Sequence, residues 1–397
     1  MAAKVVVLGG GVGGTLTANL LSKDLRRDVQ VTVIDPTGMH VYQPGFLYVA
    51  LGQANGRWLA RDERMLLRKD IALVVEAATR VETDRKIVRL SHGEEVPYDY
   101  LVLATGSRLV PEQIPGLGQG SFEFYSMAGA LRLREALRNF QGGRIGVGIA
   151  GIPYKCPPAP VEFVLMLEQY LRARGIRDKS SVTLLSPLNR AFTIESASQL
   201  VHPIMERRGI ELATFFNVES VDPDSGTVSS LEGEEREFDL MVIVPPHRGQ
   251  NVIEESGLGD RSGWVPTDRS TLGHKDHPDI FAIGDATDLP ISKSGSTAHF
   301  EAPIVASRIA SGIFGTKPKE VYGGKVMCFL ETGDRRATAL RFDYEHPPKP
   351  PVPSRFWHAA KWSFNRLYWN TVPQGRIPEA GYRRSPELED EPERSSA

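Results

Sequence analysis

Lys4-Val-Val-Val-Leu-Gly-Gly-Gly-Val-Gly-Gly14 reads as a short β-branched strand running straight into a glycine-rich turn. Beyond the turn, Leu16, Ala18, Leu20 and Leu21 fit a helix, and Val29 to Ile34 fits a second strand that ends at Asp35. In the pattern G-x-G-x-x-G, Gly9 makes the turn and Gly11 lets the backbone approach a pyrophosphate. Gly14 lets helix and strand pack closely. Asp35 then stands where a ribose hydroxyl is bound. The glycine pattern alone is a weak signal, but strand, turn, helix, strand and acid in that order identify a dinucleotide site.

Two later segments bear on which dinucleotide. Tyr98 to Ser107 is an apolar strand that ends in a small-residue turn containing Thr105 and Gly106, and Asp279 to Ala286 is a strand whose end carries Gly284 and Asp285. With the first turn they resemble the two-dinucleotide-domain flavoproteins, the superfamily of glutathione reductase and type II NADH dehydrogenase. The resemblance implies FAD at the first site, with Asp285 on its ribityl chain. It also implies an α/β fold of two Rossmann-like domains, the second inserted in the first. On that basis residues 1–110 and 246–315 form the FAD domain and 111–245 the insertion. Residues 316–382 form a C-terminal region and 383–397 a disordered charged tail. Within the insertion a helix is expected over 128–140, a strand over 144–150, a helix over 161–174 and a strand over 181–185. A loop from 289 to 302 is expected against the flavin pyrimidine edge, with Lys293 adding charge there, lining a quinone entrance, or simply exposed.

The insertion departs from an NADH-binding unit. Where a second glycine-rich turn belongs, the chain has Gly148-Ile-Ala-Gly-Ile-Pro-Tyr-Lys-Cys-Pro-Pro-Ala-Pro-Val-Glu162. Pro153, Pro157, Pro158 and Pro160 remove backbone donors that a phosphate needs. Cys156 is placed before the next helix, where the helix dipole is expected to lower its pKa and favour thiolate. This segment resembles the sulfide:quinone oxidoreductases and the related flavocytochrome c sulfide dehydrogenases. In those families a cysteine here and one far downstream form a redox disulfide beside the flavin. Lys325-Val-Met-Cys328 supplies the downstream match, so both cysteines of the chain fall on family positions. The third cysteine that many members carry near the start of the insertion is absent from Glu123 to Gly129, so FAD is expected to be noncovalent. Glu162 matches a family acid. It reads either as a general acid/base or as a first-turn carboxylate that complements the helix dipole.

Composition sets the outer limits. A net charge of −2 gives no pull towards nucleic acid, and no stretch approaches a spanning helix of about 20 apolar residues. Met1 leads directly into a strand, leaving no room for a signal peptide, and two cysteines make no disulfide scaffold. No metal site is expected, and a homo-oligomer is compatible with the sequence. Ser354 to Val372 holds three of the five tryptophans. On a helical wheel Trp357, Ala360, Phe364, Leu367 and Tyr368 share a stripe opposite Arg355 and Arg366, with Trp362 and Trp369 as a second ridge. That composition suits either a membrane-surface helix or a helix docked on the core. The resemblance then implies hydrosulfide oxidation through Cys156 and Cys328, electrons passing through FAD to a membrane quinone, and a peripheral protein on the cytoplasmic side. The alternatives are a flavocytochrome c-type subunit, a type II NADH dehydrogenase-like enzyme, and a non-enzymatic FAD-binding protein.

Overall fold

Apolar runs such as Val5 to Leu8 and Leu101 to Leu103 are buried throughout, as strands covered by helices on both faces must be. The computed structural model describes residues 1–318 and 320–376, so the tail expected from 383 to 397 lies outside the described residues. The elements that build the site are, in chain order, β1 (Ala3–Leu8), α1 (Val12–Leu25), β2 (Val29–Asp35), α2 (Phe46–Ala50), β3 (Ala72–Val75), β4 (Tyr100–Leu103) and α3 (Met127–Asn139). Then come β5 (Gly143–Ile149), α4 (Ala159–Ala173), β6 (Ser180–Leu185), α5 (Glu195–Arg207), β7 (Ile210–Ala213) and β8 (Leu240–Val244). The chain closes with β9 (Ile280–Ala282), α6 (Gly295–Phe314), β10 (Val326–Gly333), β11 (Arg336–Phe342) and α7 (Arg355–Thr371).

Two parallel sheets result. The first has strand order β9-β4-β1-β2-β3 and the second β7-β6-β5-β8. All four strands of the second sheet come from sequence between β4 and β9. Each sheet has an antiparallel three-stranded flap in the sequence beside it, one built from Ala78–Glu82, Ile87–Leu90 and Glu95–Pro97, the other from Val218–Asp222, Thr227–Ser230 and Glu235–Glu237. The expected elements of the insertion appear within two residues of their anticipated ends.

The C-terminal region differs more from its sequence reading. Cys328 lies on a strand, in the β10–β11 hairpin, opposite Leu340. The proline-rich stretch behind the hairpin is held by its carbonyls: Thr338 Oγ1 donates to Pro351 O at 2.6 Å and Ser196 Oγ to Pro348 O at 2.6 Å. Helix α7 follows, capped by Ser354, and lies on the hairpin. Its Tyr368 and Trp369 are 2% and 3% exposed and join the same apolar cluster as β5, β6 and α4. Each buried aromatic of this kind removes roughly 150–250 Å² from water, worth several kcal/mol. The inner face of α7 is therefore fixed by the protein itself.

Candidate functional site

The glycine turn has the shape its sequence implies. A Cβ on Gly14 would stand 1.9 Å from Gly9 O, and Gly9, at φ +103°, packs against Ala104 O. Neither position tolerates a side chain. A Cβ on Gly11 or Gly106 would meet nothing within 4 Å, so both glycines border open space. Thr105 Oγ1 and Ser107 Oγ are buried there without a partner. Open space, a helix N-terminus and orphaned hydroxyls form a set that an FAD phosphate and ribityl chain would satisfy. Asp35 is more committed than its motif implies. Its Oδ2 accepts from Gly10 N–H at 2.8 Å, and its Oδ1 from Thr37 N–H, Thr37 Oγ1 and Gly38 N–H at 2.7–2.9 Å. In this structure it braces the phosphate turn.

Gly284 and Asp285 follow β9. The Gly284 N–H donates to Glu301 Oε2 at 2.5 Å from α6, where Glu301 is fully buried and burial lifts its carboxyl pKa to about 8. Burial also raises the Asp285 carboxyl, against the opposing charges of Lys155 and Lys293. Lys293 is not exposed. It is 6% exposed, donates to Thr287 O at 2.6 Å and Asp285 O at 3.0 Å, and stands 3.8 Å from the Trp264 ring centre. Burial pulls its pKa down to about 8. It staples the turn that carries Asp285.

That same segment brings the two cysteines together. Cys156 N–H donates to Lys293 O at 2.6 Å, and the neighbouring Ser294 hydroxyl bonds the Cys328 thiol. Cys156 adopts φ +53°, a left-handed conformation that L side chains rarely hold without a reason. Both cysteines are free thiols. The expected thiolate at Cys156 is not found. Burial pushes its thiol well above the ordinary range, nearby Cys328 and Glu162 push the same way, and only Lys361 opposes. The dipole argument fails because Pro157, Pro158 and Pro160 lack N–H groups and the Ala159 N–H is taken by Cys156 O at 2.9 Å. Cys328 is raised less, to about 11, because Ser294 and Lys361 counter its burial.

Glu162 is not an ordinary first-turn carboxylate either. It is 3% exposed, accepts from Glu331 N–H at 2.7 Å and is ion-paired to Lys361 Nζ. Burial raises its pKa against the pull of Lys361, and Glu162 keeps Lys361 charged against burial. The Lys361 ammonium also sits 5.6 Å from the Tyr48 ring centre on α2. Lys361 escaped the sequence reading, although one signal was present: on the wheel it lies between Tyr368 and Trp369, a charge inside an aromatic face. The outer face of α7 also differs from the expected stripe, since Tyr368 points inward. Phe356, Trp362, Phe364 and Leu367 are the exposed apolar residues, 69%, 51%, 38% and 54% accessible, with Arg366 stacked 4.0 Å over Trp362. Among the described residues no helix is long and apolar enough to cross a membrane, and no cluster of three metal-ligating side chains occurs.

Comparison with known proteins agrees with this geometry. The pyridine nucleotide-disulphide oxidoreductase family model matches residues 3–302. Mitochondrial sulfide:quinone oxidoreductase of Mus musculus is 27% identical, over 94% of this chain and 86% of the mouse protein. Sulfide-quinone reductase of Aquifex aeolicus is 27% identical, over 95% and 93%. The crystal structure of the Aquifex aeolicus sulfide:quinone oxidoreductase superimposes with a TM-score of 0.85 at 25% identity, covering 96% of this chain and 93% of that one. The NDH2 of Plasmodium falciparum shares the fold at a TM-score of 0.72 and 15% identity. The chain belongs to the pyridine nucleotide-disulphide oxidoreductase family, and within it is an FAD-dependent oxidoreductase of the sulfide:quinone oxidoreductase type.

Proposed function

We propose that this protein oxidises hydrosulfide through a Cys156–Cys328 redox disulfide and passes the electrons by way of FAD to a membrane quinone. The observation that carries the reading is the convergence of both cysteines on the Lys293–Ser294 segment, beside the buried Glu162–Lys361 pair. FAD, when bound by the glycine turn, Thr105, Gly106, Gly284 and Asp285, supplies a two-electron relay between sulfur and quinone. Hydrosulfide attacks one sulfur of the disulfide, forming a persulfide there and expelling the other sulfur as thiolate. In a site where burial opposes thiolate, Lys361 and the Ser294 hydroxyl are the groups that ease that charge.

The quinone side rests on α7. Its inner face delivers Lys361 to Glu162, while its outer face presents Phe356, Trp362, Phe364 and Leu367 with Arg366. An apolar stripe with flanking cations lies flat in a bilayer interface. The protein is then peripheral, and a lipid-soluble quinone enters beside that helix. NADH has no cradle at the proline-framed turn after β5. Residues 111–245 form the inserted domain and the FAD is noncovalent in the same reading.

The test is steady-state turnover of the purified FAD-loaded protein with sulfide and a short-chain quinone analogue. Sulfide-dependent quinol formation is expected, with no comparable rate from NADH. Quinone reduction by NADH alone, without sulfide, would overturn the assignment.

A further inference from the structure

The Glu162–Lys361 pair is sealed from water, with side chains 4% and 8% exposed. Hydrosulfide oxidation to the sulfane level releases two electrons and one proton. Reducing a quinone to a quinol takes up two electrons, which the reduced flavin supplies, and two protons. Each turnover therefore draws one net proton from solvent, and a buried donor must be recharged through some route. The largest charge interactions on Lys361 come from Glu162, Tyr48 and Glu331. Tyr48 is a poor carrier, because burial raises its hydroxyl pKa far above neutrality. Glu331, on β10, gives its backbone N–H to Glu162 and pairs its carboxylate with His358. Both of its oxygens lie 3.0 Å from His358 Nδ1. The Glu331 side chain is 5% exposed and that of His358 is 33% exposed. Lys361 and Glu331 are thus both buried, and of the three it is His358 that reaches solvent. His358 and Lys361 stand one helical turn apart on α7, so the helix holds both ends of the path in register.

We propose that His358, through Glu331, is the solvent-side end of a proton path that recharges the Glu162–Lys361 pair during quinone reduction. The inference rests on the quinone reading above. Lys361 gives a proton to a quinone oxygen, forming the O–H bond, and regains one from Glu331. Glu331 is reprotonated by the His358 imidazolium, and His358 by water. The charged and titratable groups on the surrounding elements leave this route clear. Arg336 of β11 is engaged with Pro353 O at 3.2 Å, Arg355 at the start of α7 is exposed, α4 and α2 contribute Glu162 and Tyr48, and Tyr42, Cys156 and Cys328 also lie within the field of the Lys361 charge. An imidazole exchanges protons near neutral pH, which an arginine or a buried phenol does not.

The experiment separates the two half-reactions of the FAD-loaded protein by stopped-flow absorbance. Sulfide reduces the flavin in one mixing, and a short-chain benzoquinone analogue reoxidises it in the other, between pH 6 and pH 8. His358→Ala and His358→Gln are compared with wild type; the glutamine keeps a hydrogen-bond donor to Glu331 but does not titrate. Flavin reduction by sulfide should be unchanged in both variants. Reoxidation should slow by about tenfold or more at pH 8 and by less at pH 6, and added imidazole should restore it in His358→Ala. Glutamine at wild-type speed, or equal slowing of both half-reactions without imidazole rescue, would overturn the proton path. If the wild-type flavin is reduced by sulfide but not reoxidised by quinone, the quinone reading itself fails and takes this inference with it.

Discussion

Replacing Lys361 with methionine keeps most of the side-chain volume and leaves Glu162 buried without its cation. Breaking a buried ion pair from one side costs about 3–5 kcal/mol, because the remaining charge must be neutralised or left unpaired. Burial already raises the Glu162 pKa in the folded protein, and losing Lys361, the strongest opposing influence, raises it further. The sign follows directly. A carboxyl whose folded pKa exceeds its unfolded value, near 4.3, favours folding while it is protonated in both states. That contribution is present below about pH 4.3 and is lost as pH rises towards the folded pKa, at about 1.4 kcal/mol per unit. The destabilisation of Lys361→Met should therefore be small at pH 5 and grow towards pH 8, reaching the full few kcal/mol. Adding Glu162→Gln should remove most of it at pH 8, since no charge is then left behind. Urea unfolding with FAD in excess at both pH values reads this out. A Lys361→Met penalty that is equal at pH 5 and pH 8 and unrelieved by Glu162→Gln would refute the reasoning.

Three further outcomes are expected. Gly14→Ala should lose FAD, because its Cβ meets the Gly9 carbonyl, while Gly11→Ala should fold normally and weaken FAD by occupying its space; equilibrium dialysis with FAD and circular dichroism distinguish the two. NADH should reduce the bound flavin far more slowly than sulfide in anaerobic stopped flow, because Pro153, Pro157, Pro158 and Pro160 offer no amides to a pyrophosphate. Serine at Phe356, Phe364 and Leu367 together should abolish co-sedimentation with liposomes yet leave sulfide-driven flavin reduction intact, because those side chains are exposed and Lys361 is not. Retained liposome binding would return α7 to a purely packing role.

The nucleotide half of the molecule was legible because its signals are local. A β-branched run, a glycine turn and a helix fix β1 and α1 within a few residues, and Gly9 and Gly14 meet the contacts their spacing implies. What escaped depends on tertiary depth. Lys361 looked like a polar interruption of an aromatic helix, and only the docking of α7 on β10 and β11 turns it towards Glu162. The thiol of Cys156 was read from the nearby helix N-terminus, but its surroundings remove more stabilisation from a thiolate than a proline-blocked helix end can return. Lys293 was read as a loop residue, and the carbonyls of Asp285 and Thr287 take it inward. The hairpin around Cys328 went unseen because its apolar run is short and its partner, Leu340, becomes meaningful only once paired.

The most direct test of the central claim is an anaerobic titration of the purified, FAD-loaded protein with sulfide, followed by the flavin spectrum, for wild type, Cys156→Ser and Cys328→Ser. A serine supplies neither a disulfide nor a ready nucleophile at neutral pH, and it occupies nearly the same volume, so folding and FAD occupancy should be kept. The account predicts that sulfide bleaches the wild-type flavin at about one equivalent and leaves both variants oxidised. Stoichiometric bleaching in either serine variant, with full FAD occupancy, would contradict it.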